Sequence, residues 1–147
     1  MRTITLKIEK ELTAKNIADI VITAFEGGSN YWCGRADTVE LTASGWHSMS
    51  KEQHASWRDD DGCGPYANPE FWESDERDYR LHDEYENEAA PIVLTSDKIA
   101  LAIQKLADHE NPGWQQTAAR LMEPGDYDAD DADVAIQMAV FDDVVYG

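Results

Sequence analysis

The stretch from about Thr42 to Glu88 limits the possible folds of this chain, because hydrophobic periodicity is lost throughout it. So long an irregular loop is uncommon in a compact domain unless the loop is functional or disordered. The stretch contains Pro65 and Pro69, yet it also holds seven aromatic residues, and disordered segments are poor in aromatics. We therefore expect an ordered insertion that packs its own aromatic side chains, with a short strand near Tyr79–Leu81.

Periodic segments on both sides of this stretch predict a mixture of strands and helices. Strands are expected at Thr3–Ile8, Thr38–Leu41 and Pro91–Leu94, and helices at about Ala14–Glu26, Asp97–His109, Pro112–Met122 and from Asp128 or Asp130 onward. Because no βαβ repeat is present, the pattern favours an α+β fold over a doubly wound one. We expect one domain over residues 1–147, with a small sheet, about four helices and the irregular acidic and aromatic insertion at 42–88.

The charge of the chain excludes several classes of partner. Thirty Asp and Glu residues stand against twelve Lys and Arg, which gives a net charge of −18. Such a field repels DNA, RNA and anionic membranes, and it attracts basic proteins. The plainer interpretation, that the acidity only keeps the protein soluble, stays open.

The first residues of the sequence and the small number of cysteines favour a cytoplasmic protein. The first twelve residues alternate polar and apolar side chains and lack the continuous apolar core of a signal peptide. No apolar run approaches the ~20 residues needed to span a bilayer. Cys33 and Cys63 are too few for a disulfide scaffold. We expect the chain to act in the cytoplasm.

Three stretches resemble a family of small, uncharacterised bacteriophage and prophage proteins. Residues 23–33, TAFEGGSNYWC, are similar to its ALEGG-x-NYWC signature, with Phe25 in place of leucine. Residues 80–83 (RLHD) and 94–98 (LTSDK) are similar to its LxLHD and LTxEK region. Residues 132–147 resemble its AD-x-I-x-Q-x-ALFGE-x-VYG close, although Asp142 stands where that close has glycine. The resemblance implies a phage context and no particular chemistry.

The central stretch is also the candidate partner-binding surface. Nine of the fourteen aromatic residues lie between Tyr31 and Tyr85, interleaved with acids. Tyr and Trp are favoured at interfaces, and flanking carboxylates suit a basic partner. The predicted contact residues are Trp57, Asp59, Asp60, Asp61, Phe71, Trp72, Glu73, Asp75 and Glu76. The alternative, that these aromatics form the core of the insertion and the acids a solvated rim, stays open.

Together with the phage resemblance, this surface suggests a counter-defence protein that blocks a host defence factor without chemistry. Inhibitors of the anti-CRISPR or anti-restriction type, whose acidic surface mimics nucleic acid, are the class we expect. The partner would be a basic host protein or a nucleoprotein complex, no cofactor is expected, and the sequence allows a homodimer.

A second hypothesis uses the aromatic run that follows Gly28 to sequester a nucleotide immune signal. Tyr31 and Trp32 would stack on a base, Asn30 would hydrogen-bond to it, and Arg35 would reach a phosphate. The hypothesis gains if Arg35, Arg77 and Arg80 converge near Asn30–Trp32, and it loses if they pair with acids.

A third hypothesis is a small hydrolase or a metal-binding protein. Cys33, His47, His54 and Cys63 are usable ligands, but their spacing lacks the paired knuckles of recognisable zinc sites. The acids at 126, 128 and 130 match the start of a calcium loop, which then fails at its glycine and glutamate positions. Cys33 with His47 or His82, or the acids Asp59 and Glu70, would supply catalytic pairs. No spacing selects any of them, so we assign no catalytic residue.

Overall fold

Six helices and four strands make up the described part of the chain. The computed structural model describes residue 4 and residues 9–57, 64–83 and 90–146, except for the side chain of Asn30. The helices are α1 (Ala14–Gly27), α2 (Lys51–Ser56), α3 (Pro69–Glu73), α4 (Ser96–Ala107), α5 (Pro112–Leu121) and α6 (Ala129–Phe141). The strands are β1 (Cys33–Thr42), β2 (Gly45–Ser48), β3 (Arg77–Asp83) and β4 (Ile92–Leu94). Helices and an antiparallel sheet that do not alternate as βαβ units confirm the α+β class.

The sheet has the order β2-β1-β3-β4, and every neighbouring pair is antiparallel. Successive side chains of a strand point to opposite faces, so Tyr79 and Leu81 of β3 share one face. Both are buried, as is Leu94, which lies opposite Tyr79 in β4. This face therefore covers the core, while Asp78, Arg80 and His82 lie on the other face.

The core lies between this face of the sheet and the longer helices. Thr13 caps α1, because its hydroxyl accepts from the Asn16 amide and the Asn16 side chain accepts from the Thr13 amide in return. The inner faces of α1 and α4 supply much of the core, since Ile17, Ile20, Val21 and Ala24 of α1 and Ile99, Ala102, Ile103 and Leu106 of α4 are buried. Helix α6 packs against both α1 and α4.

Gly28 permits the close approach of α1 to the start of α6. A Cβ atom at this position would lie 2.4 Å from the carbonyl oxygen of Ala129 and 3.2 Å from the Cβ of Asp133. The turn that follows α1 therefore has no room for a side chain. Its closeness to α6 places the next residues, Ser29–Trp32, against that helix.

Helix α6 ends at the position where the chain differs from the phage-protein motif that it resembles. Asp142 has φ 58° and ψ 19°, in the left-handed region that glycine enters without strain. An aspartate tolerates this conformation better than most residues do. Its carboxylate also forms an ion pair with Lys105 of α4, so the helix ends in the same kind of turn that a glycine would give.

The expectation of an irregular insertion at 42–88 needs correction. The described part of this segment supplies β2, α2, α3 and β3, and β3 is an inner strand of the sheet. The predicted strand near Tyr79–Leu81 is thus a central element of the fold. Helices α2 and α3 have six and five residues, too few for a helical period to show in the sequence, and they raise the number of helices above the expected four.

Two further expectations have different outcomes. The strand around Thr38–Leu41 is present but begins earlier, at Cys33. The strand predicted at Thr3–Ile8 falls outside the described residues, apart from an exposed Ile4. Across the described ranges, no helix has both the length and the apolar character to cross a membrane.

Candidate partner-binding surface

Two aromatic residues of the predicted surface lie in the core. Phe71 is 1% exposed and Trp72 is 7% exposed. The Trp72 indole donates to the Tyr66 carbonyl at 2.8 Å, and both rings pack edge-on against Tyr79. Trp57 is half-buried, with its ring edge-on to Phe71. Phe71 and Trp72 therefore hold α3 against the sheet and are not presented to a partner, whereas Trp57 stays partly accessible.

The acids of the same set are exposed. Glu73 ends α3, and Asp75 and Glu76 form the turn that leads into β3. We call Glu73, Asp75 and Glu76 the acidic turn. Glu73 and Asp75 also line a surface cleft at the start of α4, together with Asp78, Asp97, Arg77, Trp72, Ser74, Thr95 and Ser96. The remaining predicted contacts, Asp59, Asp60 and Asp61, lie outside the described residues.

The cations nearest to this surface are paired with carboxylates. Arg77 Nε lies 3.7 Å from Glu40 Oε1, and its guanidinium stands 4.4 Å from the centre of the Trp57 ring. Arg80 Nη2 lies 3.6 Å from Asp78 Oδ2. Arg35 Nη2 lies 3.1 Å from Asp37 Oδ2. The three arginines thus pair with acids on the sheet and do not converge on Asn30–Trp32.

The residues proposed to hold a nucleotide are partly buried in the protein itself. Trp32 is fully buried, and its indole N–H donates to Asp133 Oδ1 at 2.7 Å. The Tyr31 ring is 45% exposed, but its hydroxyl donates to Asp133 Oδ2 at 2.9 Å. Partial burial and the neighbouring Asp133 raise the pKa of Tyr31 to about 12. The Trp32 ring therefore offers no open face for a base in this conformation.

Asp133 is the centre of a buried polar cluster that the sequence interpretation missed. Its side chain is 6% exposed, and no cation contacts it among the described residues. One carboxylate oxygen accepts from Ser29 Oγ and Trp32 Nε1, both at 2.7 Å. The other accepts from the Tyr31 hydroxyl and from Gln137 Nε2, at 2.9 and 2.8 Å. Four neutral donors thus compensate a charge that would be costly to bury unpaired.

Gln137 extends this cluster to the segment after α6. Its side chain is fully buried, and its Oε1 accepts from the amides of Val145 and Tyr146 at 2.9 and 2.7 Å. The Tyr146 ring stacks on Trp32 with centres 6.0 Å apart, and its hydroxyl donates to Asp83 at 2.7 Å. Residues from the segments 23–33, 80–83 and 132–147, which resemble phage proteins, thus meet in one cluster. We call Ser29, Tyr31, Trp32, Asp83, Asp133, Gln137 and Tyr146 the clasp.

One signal in the sequence pointed to the clasp. Asp133 and Gln137 are four residues apart and lie on the side of α6 that faces the core, among Ala132 and Ile136. A polar pair at this spacing within an apolar stripe indicates a buried hydrogen-bond network. Nothing in the sequence identifies the donors that satisfy it.

The candidate catalytic groups are not arranged for nucleophilic chemistry. Burial raises the pKa of the Cys33 thiol to about 11, and the thiol donates to the Arg35 carbonyl. His82 Nε2 lies 3.1 Å from Asp37 Oδ2, and His47 Nε2 lies 2.9 Å from Ser44 Oγ. The hydrogen bonds of these two rings are therefore made to groups other than the Cys33 thiol. Of the acid pair, Glu70 is exposed and Asp59 lies outside the described residues.

The candidate metal ligands also have other roles. His54 Nε2 lies 2.6 Å from Thr38 Oγ1, and Asp128 caps α6 by accepting from the Asp131 amide. Cys63 falls in the part of the chain that is not described. Among the described residues, no three His, Cys, Asp or Glu side chains are grouped so that they could hold a metal ion.

Comparison with known proteins does not identify a relative of this chain. The chain matches no protein-family model, no curated protein and no solved structure.

Proposed function

We propose that this chain is a phage counter-defence protein that inhibits a basic host defence factor by binding it in the host cytoplasm. The acidic turn, with Asp59–Asp61 nearby in the sequence, would occupy the surface on which the factor binds nucleic acid. The inhibition would be of the anti-CRISPR or anti-restriction type, with no covalent step.

The main support for the proposal is that most described Lys and Arg side chains are paired with carboxylates. Seven of the nine described Lys and Arg side chains contact a carboxylate. Among the described residues, most cations that could hold a phosphate are therefore neutralised, and the net charge of −18 gives a negative field around the molecule. A partner drawn by this field would be basic, as nucleic-acid-binding proteins are.

The exposed acids have the chemistry of a phosphate mimic. Glu73 and Asp75 are exposed and have no cation within ion-pair distance among the described residues. Arginine binds carboxylates and phosphates with the same bidentate geometry, so a protein surface built for a nucleic-acid backbone also accepts carboxylates. The nucleotide hypothesis has less support, because Trp32 is buried and Arg35 is paired.

Phage plating on bacteria that carry different defence systems tests the proposal. Expression of the chain should raise the plating efficiency on at least one strain with a restriction or CRISPR system, and not on the matched strain without it. The variant Glu73→Lys/Asp75→Lys/Glu76→Lys should lose about tenfold or more of this rescue, because each ~1.4 kcal/mol of lost binding is a factor of ten. Reversing the charges of Asp59, Asp60 and Asp61 by substitution with lysine should have a similar effect.

The control variant Glu9→Lys/Glu11→Lys/Glu110→Lys changes the net charge by the same amount. These three side chains are exposed and lie outside the acidic turn, so the control should keep the rescue. Equal losses in both variants would show that net charge alone matters. The absence of rescue by the wild-type chain in every strain would overturn the proposal.

A further inference from the structure

The two edges of the sheet differ in how they are protected. In the described part of the chain, β4 forms one edge and β2 the other. Strand β4 has only three residues and follows Pro91, which lacks an N–H. The ammonium of Lys98 donates to the Val93 carbonyl at 2.6 Å. A short strand with a proline and a lysine at its edge resists pairing with another chain.

Strand β2 is also short, with four residues, but it has neither a proline nor a charged side chain at its edge. It lies within residues 41–50, the longest run of the chain without Asp, Glu, Lys or Arg. Trp46, His47 and Ser48 are all exposed, and no strand lies beyond β2 in the ranges that the structure describes. Natural edge strands usually carry charges that prevent such pairing. This edge is therefore suited to pair with a further strand.

An apolar strip runs beside this edge. Leu41 of β1 lies directly opposite Trp46 in the register, so both side chains are on the same face of the sheet. They are 40% and 39% exposed and so form an accessible apolar pair. The guanidinium of Arg80 stands 5.7 Å from the centre of the Trp46 ring and supports it from β3.

We infer that β2 is the contact of a homodimer, in which two copies pair their β2 strands antiparallel about a two-fold axis. Two molecules of charge −18 repel each other, so the contact requires a surface that adds no acids to the interface. The uncharged β2 edge meets this requirement. A basic partner would find no carboxylate on β2, whereas a second copy brings an identical apolar strip, as an isologous contact requires.

The dimer should depend on salt in the direction opposite to binding of a basic partner. Salt screens the repulsion between two acidic copies, so self-association should strengthen as ionic strength rises. Binding of a basic factor by the acidic turn should weaken over the same range. The failure of one proposal would therefore not imply the failure of the other.

Analytical ultracentrifugation of the full chain tests the inference. Between roughly 0.05 and 0.5 M salt, the wild-type chain should shift toward the dimer. The variant His47→Glu/Ser48→Glu should stay monomeric, because it places charges of the same sign on both copies at the edge. The control Gln116→Glu/Ala119→Glu adds the same charge to exposed positions of α5 and should dimerise like the wild type.

Amide hydrogen exchange at low and high protein concentration locates the contact. Exchange at 45–48 should slow as concentration rises, while exchange at 92–94 should not change. A wild-type chain that stays monomeric at about 200 µM, well above the micromolar range of weak interfaces, would overturn the inference. A dimer that persists in the His47→Glu/Ser48→Glu variant would also overturn it.

Discussion

At the scale of single residues, Asp133 shows how this acidic chain buries a charge. The carboxylate receives four hydrogen bonds from neutral groups, and two of these donors, Tyr31 and Gln137, also contact the backbone of Tyr146. The buried charge thus connects the turn after α1 to the segment after α6. Every donor in the cluster is used to hold these two segments together, which is a structural role.

We expect Asp133→Asn to destabilise the protein by about 1–3 kcal/mol, because the amide offers one acceptor oxygen in place of two and leaves at least one buried donor unpaired. Urea unfolding measures the loss. Asp126→Asn, at an exposed position, is the matched control and should change stability by less than about 0.5 kcal/mol. Equal stabilities for the two variants would contradict the structural role of Asp133.

The Cys33 thiol should be inert in the folded protein. With its pKa raised to about 11, about one thiol in a thousand is ionised at pH 8, and only the thiolate is a good nucleophile. Iodoacetamide at pH 8, followed by peptide mass mapping, should label Cys33 only after urea is added. Rapid labelling of Cys33 in the native chain would revive the hypothesis of a nucleophilic cysteine.

At the scale of elements, the missing side chain of Gly28 allows α1 to pack closely against the start of α6. We expect Gly28→Ala to cost about 1–3 kcal/mol, since the new methyl group would overlap the Ala129 carbonyl and push α1 from α6. Gly64→Ala is the control, because its Cβ would meet its nearest neighbour at an ordinary 3.5 Å. Thermal unfolding of both variants distinguishes the two sites, and a tolerated Gly28→Ala would contradict the close approach.

The ion pair between α5 and α6 should make stability depend on acid pH. Burial of Asp131 opposes its ionisation, but hydrogen bonds from Arg120 Nε and Nη2 outweigh this and hold its pKa below the usual value. A depressed carboxylate pKa contributes stability that is fully present above the unfolded-state pKa of about 3.9 and is lost as the pH falls through the folded-state pKa.

The difference in stability between the wild type and Arg120→Gln should therefore be largest near pH 7 and shrink below about pH 4. Urea unfolding at several pH values measures this difference. A difference that does not change with pH would show that Arg120 acts through packing alone.

Helices with strong local signals could be predicted from the sequence, and elements that depend on distant partners could not. Helices α1, α4 and α6, which are capped by Thr13, Thr95 and Asp128, begin close to the predicted positions. Strand β1 begins earlier than predicted because Cys33–Asp37 shows no clear alternation and is fixed by its pairing with β3. Tertiary contacts, which local patterns do not record, decided these bounds.

The same limit applied to the candidate surface. Aromatic residues in an aperiodic stretch give no sign of which way they face, so the sequence leaves open whether Phe71 and Trp72 contact a partner or the core, and the structure buries both. The acids Glu73, Asp75 and Glu76 were correctly expected to be accessible, since carboxylates are seldom buried without partners. Asp133 is the exception, and it has four partners.

At the scale of the whole molecule, the excess of acids governs what the chain can bind. Most described cations are paired, so the negative field has few local interruptions. The proposed inhibition and the proposed dimer use separate surfaces, the acidic turn and the uncharged β2 edge. Two acidic turns on one dimer would allow one inhibitor to engage two sites of an assembly, which increases avidity without new contacts.

If the acidic turn replaces nucleic acid on a basic defence factor, the purified chain should compete with DNA for that factor. Labelled DNA bound to the factor identified by phage plating would be titrated with the purified chain at low and high salt. We expect the wild-type chain to displace the DNA, more weakly at high salt, and Glu73→Lys/Asp75→Lys/Glu76→Lys to lose about tenfold or more in potency. Inhibition of the factor without displacement of the DNA, or undiminished displacement by this variant, would show that the acidic turn does not replace nucleic acid.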